Sequence, residues 1–109
     1  MREDLDVVRG TLDMLVLKAL AWGPRHGYAV TAWIRDTTRE ELKVEDAALY
    51  ASLHRLAARR WVQAEWGESE NGRKAKYYSL TAAGRGELHA QAATWARYAR
   101  AVDRVLGTT

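Results

Sequence analysis

The residues able to do chemistry in this 109-residue chain gather in two places. Tyr50, His54 and Arg55 interleave with Leu49, Leu53 and Leu56, which recur at helical spacing. The leucines make the buried face of a helix, and the polar residues take the opposite side with Ala47, Ala48 and Ala51. Arg73, Lys74, Lys76 and Tyr77 follow an Asn71-Gly72 turn signal. Donors of these types suit base edges and phosphate oxygens. They do not make a catalytic set. His26, His54 and His89 fall on separate elements without metal-ligand spacing. Ser52, Ser69 and Ser79 lack a nucleophile-elbow setting, and no glycine-rich phosphate loop is present. Glu45-Asp46 suits the positive end of a helix better than an acid–base pair. The absence of cysteine removes thiolate nucleophiles, thiolate metal sites and disulfides. The expectation is a non-enzyme with no metal and no cofactor.

Charge supports a polyanionic partner. The net charge of +3 is unevenly spread. Residues 1–53 carry seven basic and nine acidic side chains, residues 54–80 six and three, and residues 81–109 four and two. The positive surface therefore lies in the middle and C-terminal parts, where it can attract phosphate. A composition of 48% hydrophobic and 28% charged residues excludes a disordered chain. The longest apolar runs, 14–17 and 19–22, fall far short of the roughly 20 residues of a membrane helix. Met1-Arg2-Glu3-Asp4 offers no apolar signal core. A soluble, cytoplasmic protein without membrane contact is expected.

These residues must be positioned by a small number of elements. Leu12, Leu15, Val16 and Ala19 mark a first helix, capped by Thr11, widened by Met14, Leu17 and Leu20, and ended by Gly23-Pro24. A second helix runs from His26 to Thr37 through Tyr28, Val30, Trp33 and Ile34. Residues 42–44 form a short extended piece, and a third helix spans 46–60. The period then changes from 3.6 to 2 in Trp61-Val62-Gln63-Ala64-Glu65-Trp66 and in Ala75-Lys76-Tyr77-Tyr78-Ser79-Leu80, which predicts a β-hairpin. Tyr78 shares the parity of Leu80 and points to the core, leaving Tyr77 to reach a phosphate. Thr81 caps a last helix that continues to Leu106. On it Leu88, Ala92, Trp95, Ala99, Val102 and Leu106 form a heptad seam. The fold class is mainly α with a small β-hairpin: a winged helix-turn-helix over residues 1–80 and a dimerisation helix over 81–109, together one compact unit. Two chains can bury each other's seams in a homodimer; the alternative is a helix folded back on its own domain. Gly27 marks close packing at a helix start, and Gly84 and Gly86 a close approach of another backbone.

Four stretches, in this order, resemble one family. Arg9-Gly10-Thr11-Leu12-Asp13-Met14-Leu15-Val16-Leu17 is similar to the opening helix of PadR-family transcriptional regulators. Gly23-Pro24-Arg25-His26-Gly27-Tyr28 resembles their first helix junction, and Leu49-Tyr50-Ala51-Ser52-Leu53-His54-Arg55-Leu56 their recognition helix. The run 72–84 resembles their wing and the start of their dimerisation helix. The resemblance spans about residues 8–106. It implies a homodimeric DNA binder, usually a repressor, in the short form with a single C-terminal helix, and some members release DNA on binding phenolic acids or aromatic drugs. Ala48 and Ala51 depart from the hydroxyl residue and the proline usual in that recognition helix, which removes a hydrogen-bonding group and leaves a better helix former.

The expected DNA contacts are Tyr50, His54 and Arg55 from the recognition helix, with Arg73, Lys74, Lys76 and Tyr77 from the wing. Tyr50 could instead be a core residue, and Arg55 could pair with an acidic neighbour. Trp95 lies on the seam, where it is either a dimer-core residue or one of a pair that sandwiches a small aromatic effector. Trp22, Trp33, Trp61 and Trp66 are expected in the core or at its rim. The competing function is a winged-helix module for protein partners, without sequence-specific DNA binding.

Overall fold

The computed structural model describes residues 10–108; Arg9 of the first motif and the Met1–Asp4 stretch lie outside them. The order is α1 (Leu12–Ala19), β1 (Arg25–His26), α2 (Gly27–Thr37), α3 (Asp46–Ala58), β2 (Val62–Glu68), β3 (Lys74–Leu80) and α4 (Ala82–Leu106). The first three helices enclose one core. Val16, Leu17 and Leu20 from the α1 region meet Val30 and Ile34 of α2 and Leu49, Leu53 and Leu56 of α3, closed by Val62 and Tyr78 from the sheet. Leu12 and Leu15 pack at its edge. The first helix is thus covered on several sides, as its wide stripe requires.

The sheet differs from the expected hairpin. It has three antiparallel strands in the order β1-β3-β2, because Arg25 and His26 pair with Tyr78 and Tyr77 before α2 begins. His26 therefore stands just outside the second helix as its cap, its Nδ1 accepting from the Ala29 amide at 3.2 Å. The extended piece at 42–44 reduces to an isolated bridge at Leu42. The third helix ends at Ala58, and Arg60 turns the chain with a φ of 62°. Thr11 stands at the N-cap of α1 but makes no side-chain capping bond. Thr81 caps α4 as expected, accepting from the Gly84 amide at 3.0 Å.

Thr81 also docks the long helix onto the domain. Its hydroxyl donates to the Arg60 carbonyl at 2.7 Å, and its amide donates to the Trp61 carbonyl at 3.0 Å. Gly84 completes the contact, since a Cβ there would collide with the Trp61 carbonyl oxygen. The close backbone approach expected of Gly84 is present. At Gly86 a Cβ would meet nothing within 4 Å. Leu88, one turn on, packs against the core, so the first third of α4 folds onto its own domain. Beyond it Tyr98, Val105 and Leu106 are exposed.

Candidate nucleic-acid interface

The leucine spacing of α3 has the consequence expected of it. Leu49, Leu53 and Leu56 are buried with Ser52, which turns Ala47, Ala48, Tyr50, Ala51 and His54 outward. Tyr50 is not a core tyrosine: it is 51% exposed and lies over the first turn of α2. Gly27 makes room for it, because a Cβ at that position would stand 2.6 Å from the Tyr50 hydroxyl. The exposed face is poor in hydrogen-bonding groups, and the three alanines can offer a base only apolar contact, such as with a thymine methyl.

Arg55 is held from the side. Its Nη2 donates to Asp13 Oδ1 at 2.7 Å and its Nε to Asp13 Oδ2 at 3.3 Å. Ser52, fully buried, donates its hydroxyl to the same Asp13 carboxylate at 2.6 Å. Burial pushes the Asp13 carboxyl up. The bonds from Arg55 and Ser52, with the charges of Arg55 and Arg59, outweigh burial and hold it below the ordinary 3.8. One carboxylate of α1 thus fixes the rotation of α3. Sequence reading left Ser52 without a role, because its partner lies 39 residues earlier.

The wing divides by parity. Strands β2 and β3 pair so that Glu68, Trp66 and Ala64 oppose Lys74, Lys76 and Tyr78. This face carries both lysines, and their ammonium groups stand 5.4 Å and 5.9 Å from the centre of the Trp66 ring. Trp66 is 61% exposed and Trp22 64%, which the expectation of core or rim missed for both. Parity puts Trp66 on the face of Tyr78 and Leu80, but beyond Val62 the strand runs out past the core. Tyr78 points inward as parity required, and burial, with nearby Tyr50 adding to it, raises its phenol above the ordinary 10.0. Tyr77 lies on the other face. Its hydroxyl donates to the Glu68 carbonyl at 3.2 Å, and its ring meets His26 edge-on. That hydroxyl is engaged within the wing, as Arg55 is engaged by Asp13. Arg73 is exposed at the turn.

Tyr50, Trp66, Arg73, Lys74 and Lys76 border one hollow of about 540 Å³, with the wing on one side and Tyr50 beside His26, Gly27 and Tyr28 on the other. A second, of about 630 Å³, lies between α1, the end of α3 and α4, with Met14, Trp61, Trp95 and Tyr98 beside Asp13, Arg55 and Arg59. Trp95 and Tyr98 are neighbours there, with ring centres 6.0 Å apart. Of the expected seam, Leu88 belongs to the domain core, Ala99 and Val102 are partly covered, and Ala92, Trp95 and Leu106 are exposed.

A recognition-type helix beside a hairpin with two lysines on one face, on a three-helix core, defines a winged helix-turn-helix. Comparison with known proteins makes the class specific. Residues 16–90 match the model of the transcriptional regulator PadR-like family. The chain belongs to that family, whose members are DNA-binding transcriptional regulators and not enzymes. It is 31% identical over 98 residues to an uncharacterised protein of Lysinibacillus sphaericus, covering 90% of each chain. A PadR-family transcriptional regulator from Eggerthella lenta has the same fold, with a TM-score of 0.79, 32% identity, and coverage of 93% of this chain and 86% of that one. The fold is also that of Bacillus subtilis PadR, crystallised in complex with operator DNA, at a TM-score of 0.67 and 22% identity over 75% of this chain and 46% of that one. Among the described residues no helix is long and apolar enough to cross a membrane.

Proposed function

We propose that this regulator is a cytoplasmic homodimeric repressor that binds a palindromic operator and is released by a small aromatic effector. The reading rests on one observation: Tyr50, on the outward face of α3, borders the same hollow as Trp66, Arg73, Lys74 and Lys76 of the wing. A duplex that takes α3 into its major groove brings its backbone against the wing. Tyr50 and His54 carry the polar base readout, while Arg73, Lys74 and Lys76 meet phosphates. Arg55 can offer its remaining N–H groups to a phosphate while it stays on Asp13, whereas the Tyr77 hydroxyl serves only after leaving Glu68.

The exposed apolar stripe of α4, with Trp95, Tyr98, Val105 and Leu106, supports pairing with a second copy. Paired α4 helices would set two recognition helices about 34 Å apart, one helical turn of DNA. Residues 1–80 would then read DNA, and residues 81–109 would join the copies. The hollow beside Trp95 is the effector site in this scheme. Asp13 and Arg55 form part of its wall and also hold α3, so an occupant can alter the seating of the recognition helix.

Fluorescence anisotropy tests the reading, with the regulator's own promoter region compared with scrambled DNA at two salt concentrations. Tight, salt-sensitive and sequence-selective binding is expected. Equal affinity for both sequences would overturn the operator reading and favour a module for protein partners.

A further inference from the structure

Trp66 is a large apolar side chain that the core does not use. It stands on β2 directly opposite Lys76, and Lys74 lies one pair nearer the turn on the same face. Both ammonium groups are drawn over one indole despite their mutual repulsion. A cation over a tryptophan face is attracted by the negative face of the ring, so the indole keeps two flexible lysines in place. Glu68 shares this face, yet its carboxylate lies beside the turn at Gly72. Glu65 is opposite Tyr77, on the other side of the wing.

Position gives this arrangement a use. Trp66, Lys74 and Lys76 border the hollow that Tyr50 of α3 lines together with Gly27 and Tyr28 of α2. With α3 in the major groove and the wing over the neighbouring backbone, the DNA strand between them must cross this hollow. A deoxyribose is an apolar ring flanked by two anions. The wing presents the complement, an exposed apolar plate flanked by two cations. Resting on the DNA-binding reading above, we infer that Trp66 is a sequence-independent contact to the sugar–phosphate backbone. Its ring packs on a deoxyribose, and it positions Lys74 and Lys76 on the adjoining phosphates.

The experiment needs no operator. The full-length protein, labelled with ¹⁵N at its tryptophan indoles, is titrated at low salt with a short duplex of scrambled sequence. The signal lost in Trp66→Phe identifies Trp66. It is expected to shift on DNA addition, while the signal of Trp61, which lines the separate hollow beside Trp95, stays in place. Trp66→Ala is expected to weaken binding about tenfold on every sequence and to make the salt slope shallower by one to two, the share of the two lysines. Trp66→Phe keeps a π-face and should restore the slope, whereas Trp66→Leu should not. Should Trp66→Ala lower the melting temperature, the Phe and Leu pair still separates a π-face effect from a fold effect. A Trp66 signal that stays still while the duplex binds overturns the inference and leaves DNA binding intact. A wild-type protein that binds no duplex overturns both together.

Discussion

Removing the Asp13 carboxylate tests whether one side chain sets the recognition helix. Three bonds converge on it, and their energies differ in kind. Arg55 is 53% exposed, so its ion pair with Asp13 is screened by water and contributes at most about 1 kcal/mol. Ser52 is wholly buried. In Asp13→Ala its hydroxyl loses its partner without gaining water, which costs about 1–3 kcal/mol. The lower end applies if the hydroxyl turns to the carbonyl four residues earlier in its own helix. A loss of about 2 kcal/mol is therefore expected, mostly from Ser52. In a domain of this size it lowers Tm by roughly 8–16 °C. The assay is thermal or urea unfolding followed by circular dichroism at one fixed protein concentration, since pairing makes Tm concentration-dependent.

The Asp13→Ala, Ser52→Ala double variant decides the cause. It removes the orphaned hydroxyl, so it should be no less stable than Asp13→Ala alone, with a coupling of about 1–2 kcal/mol. Strictly additive losses would refute the shared-carboxylate account. Acid supplies an independent check. A carboxyl held below 3.8 in the fold stabilises it above that value, and the contribution fades as pH falls through the lower, folded value. Wild type should lose stability more steeply than Asp13→Asn in that acid range. Equal slopes would mean that the carboxylate titrates as it does in the unfolded chain.

Three further outcomes are expected. Gly84→Ala should cost more than about 3 kcal/mol, because the new methyl meets backbone at Trp61, whereas Gly86→Ala should be neutral or stabilising by up to about 1 kcal/mol; chemical unfolding of both variants measures the contrast. Val102→Asp with Leu106→Asp should turn a dimer into a monomer in analytical ultracentrifugation and weaken operator binding; a dimer with unchanged DNA affinity would remove the seam from the account. Leu88 is a poor choice for that test because it also packs on the core. Arg73→Ala with Lys74→Ala should weaken binding to all duplexes alike and lower the salt slope by about two; a loss confined to one operator would contradict phosphate contact.

How much of this was legible in the sequence depends on the range of each interaction. The faces of α3 were legible because leucine periodicity acts within one helix: Leu49, Leu53 and Leu56 are inside, and Tyr50 and His54 outside. Tyr78 followed from strand parity with Leu80 in the same way. The third strand was not legible. Arg25 and His26 gain extended structure only by pairing with Tyr78 and Tyr77, about fifty residues later, and two residues carry no periodicity. Arg55 offered a cation without saying what it faced, and only packing α1 against α3 brings Asp13 to it. Trp66 was misjudged for a different reason. Hydrophobicity argues for burial, but β2 has its whole length beyond Val62 exposed, so there is no core for the indole to join. Its neighbours are instead Lys76 and Lys74 across the strand. An exposed aromatic residue with two cations over its ring, in a family that binds DNA, belongs with the wing's charged surface and not with the core.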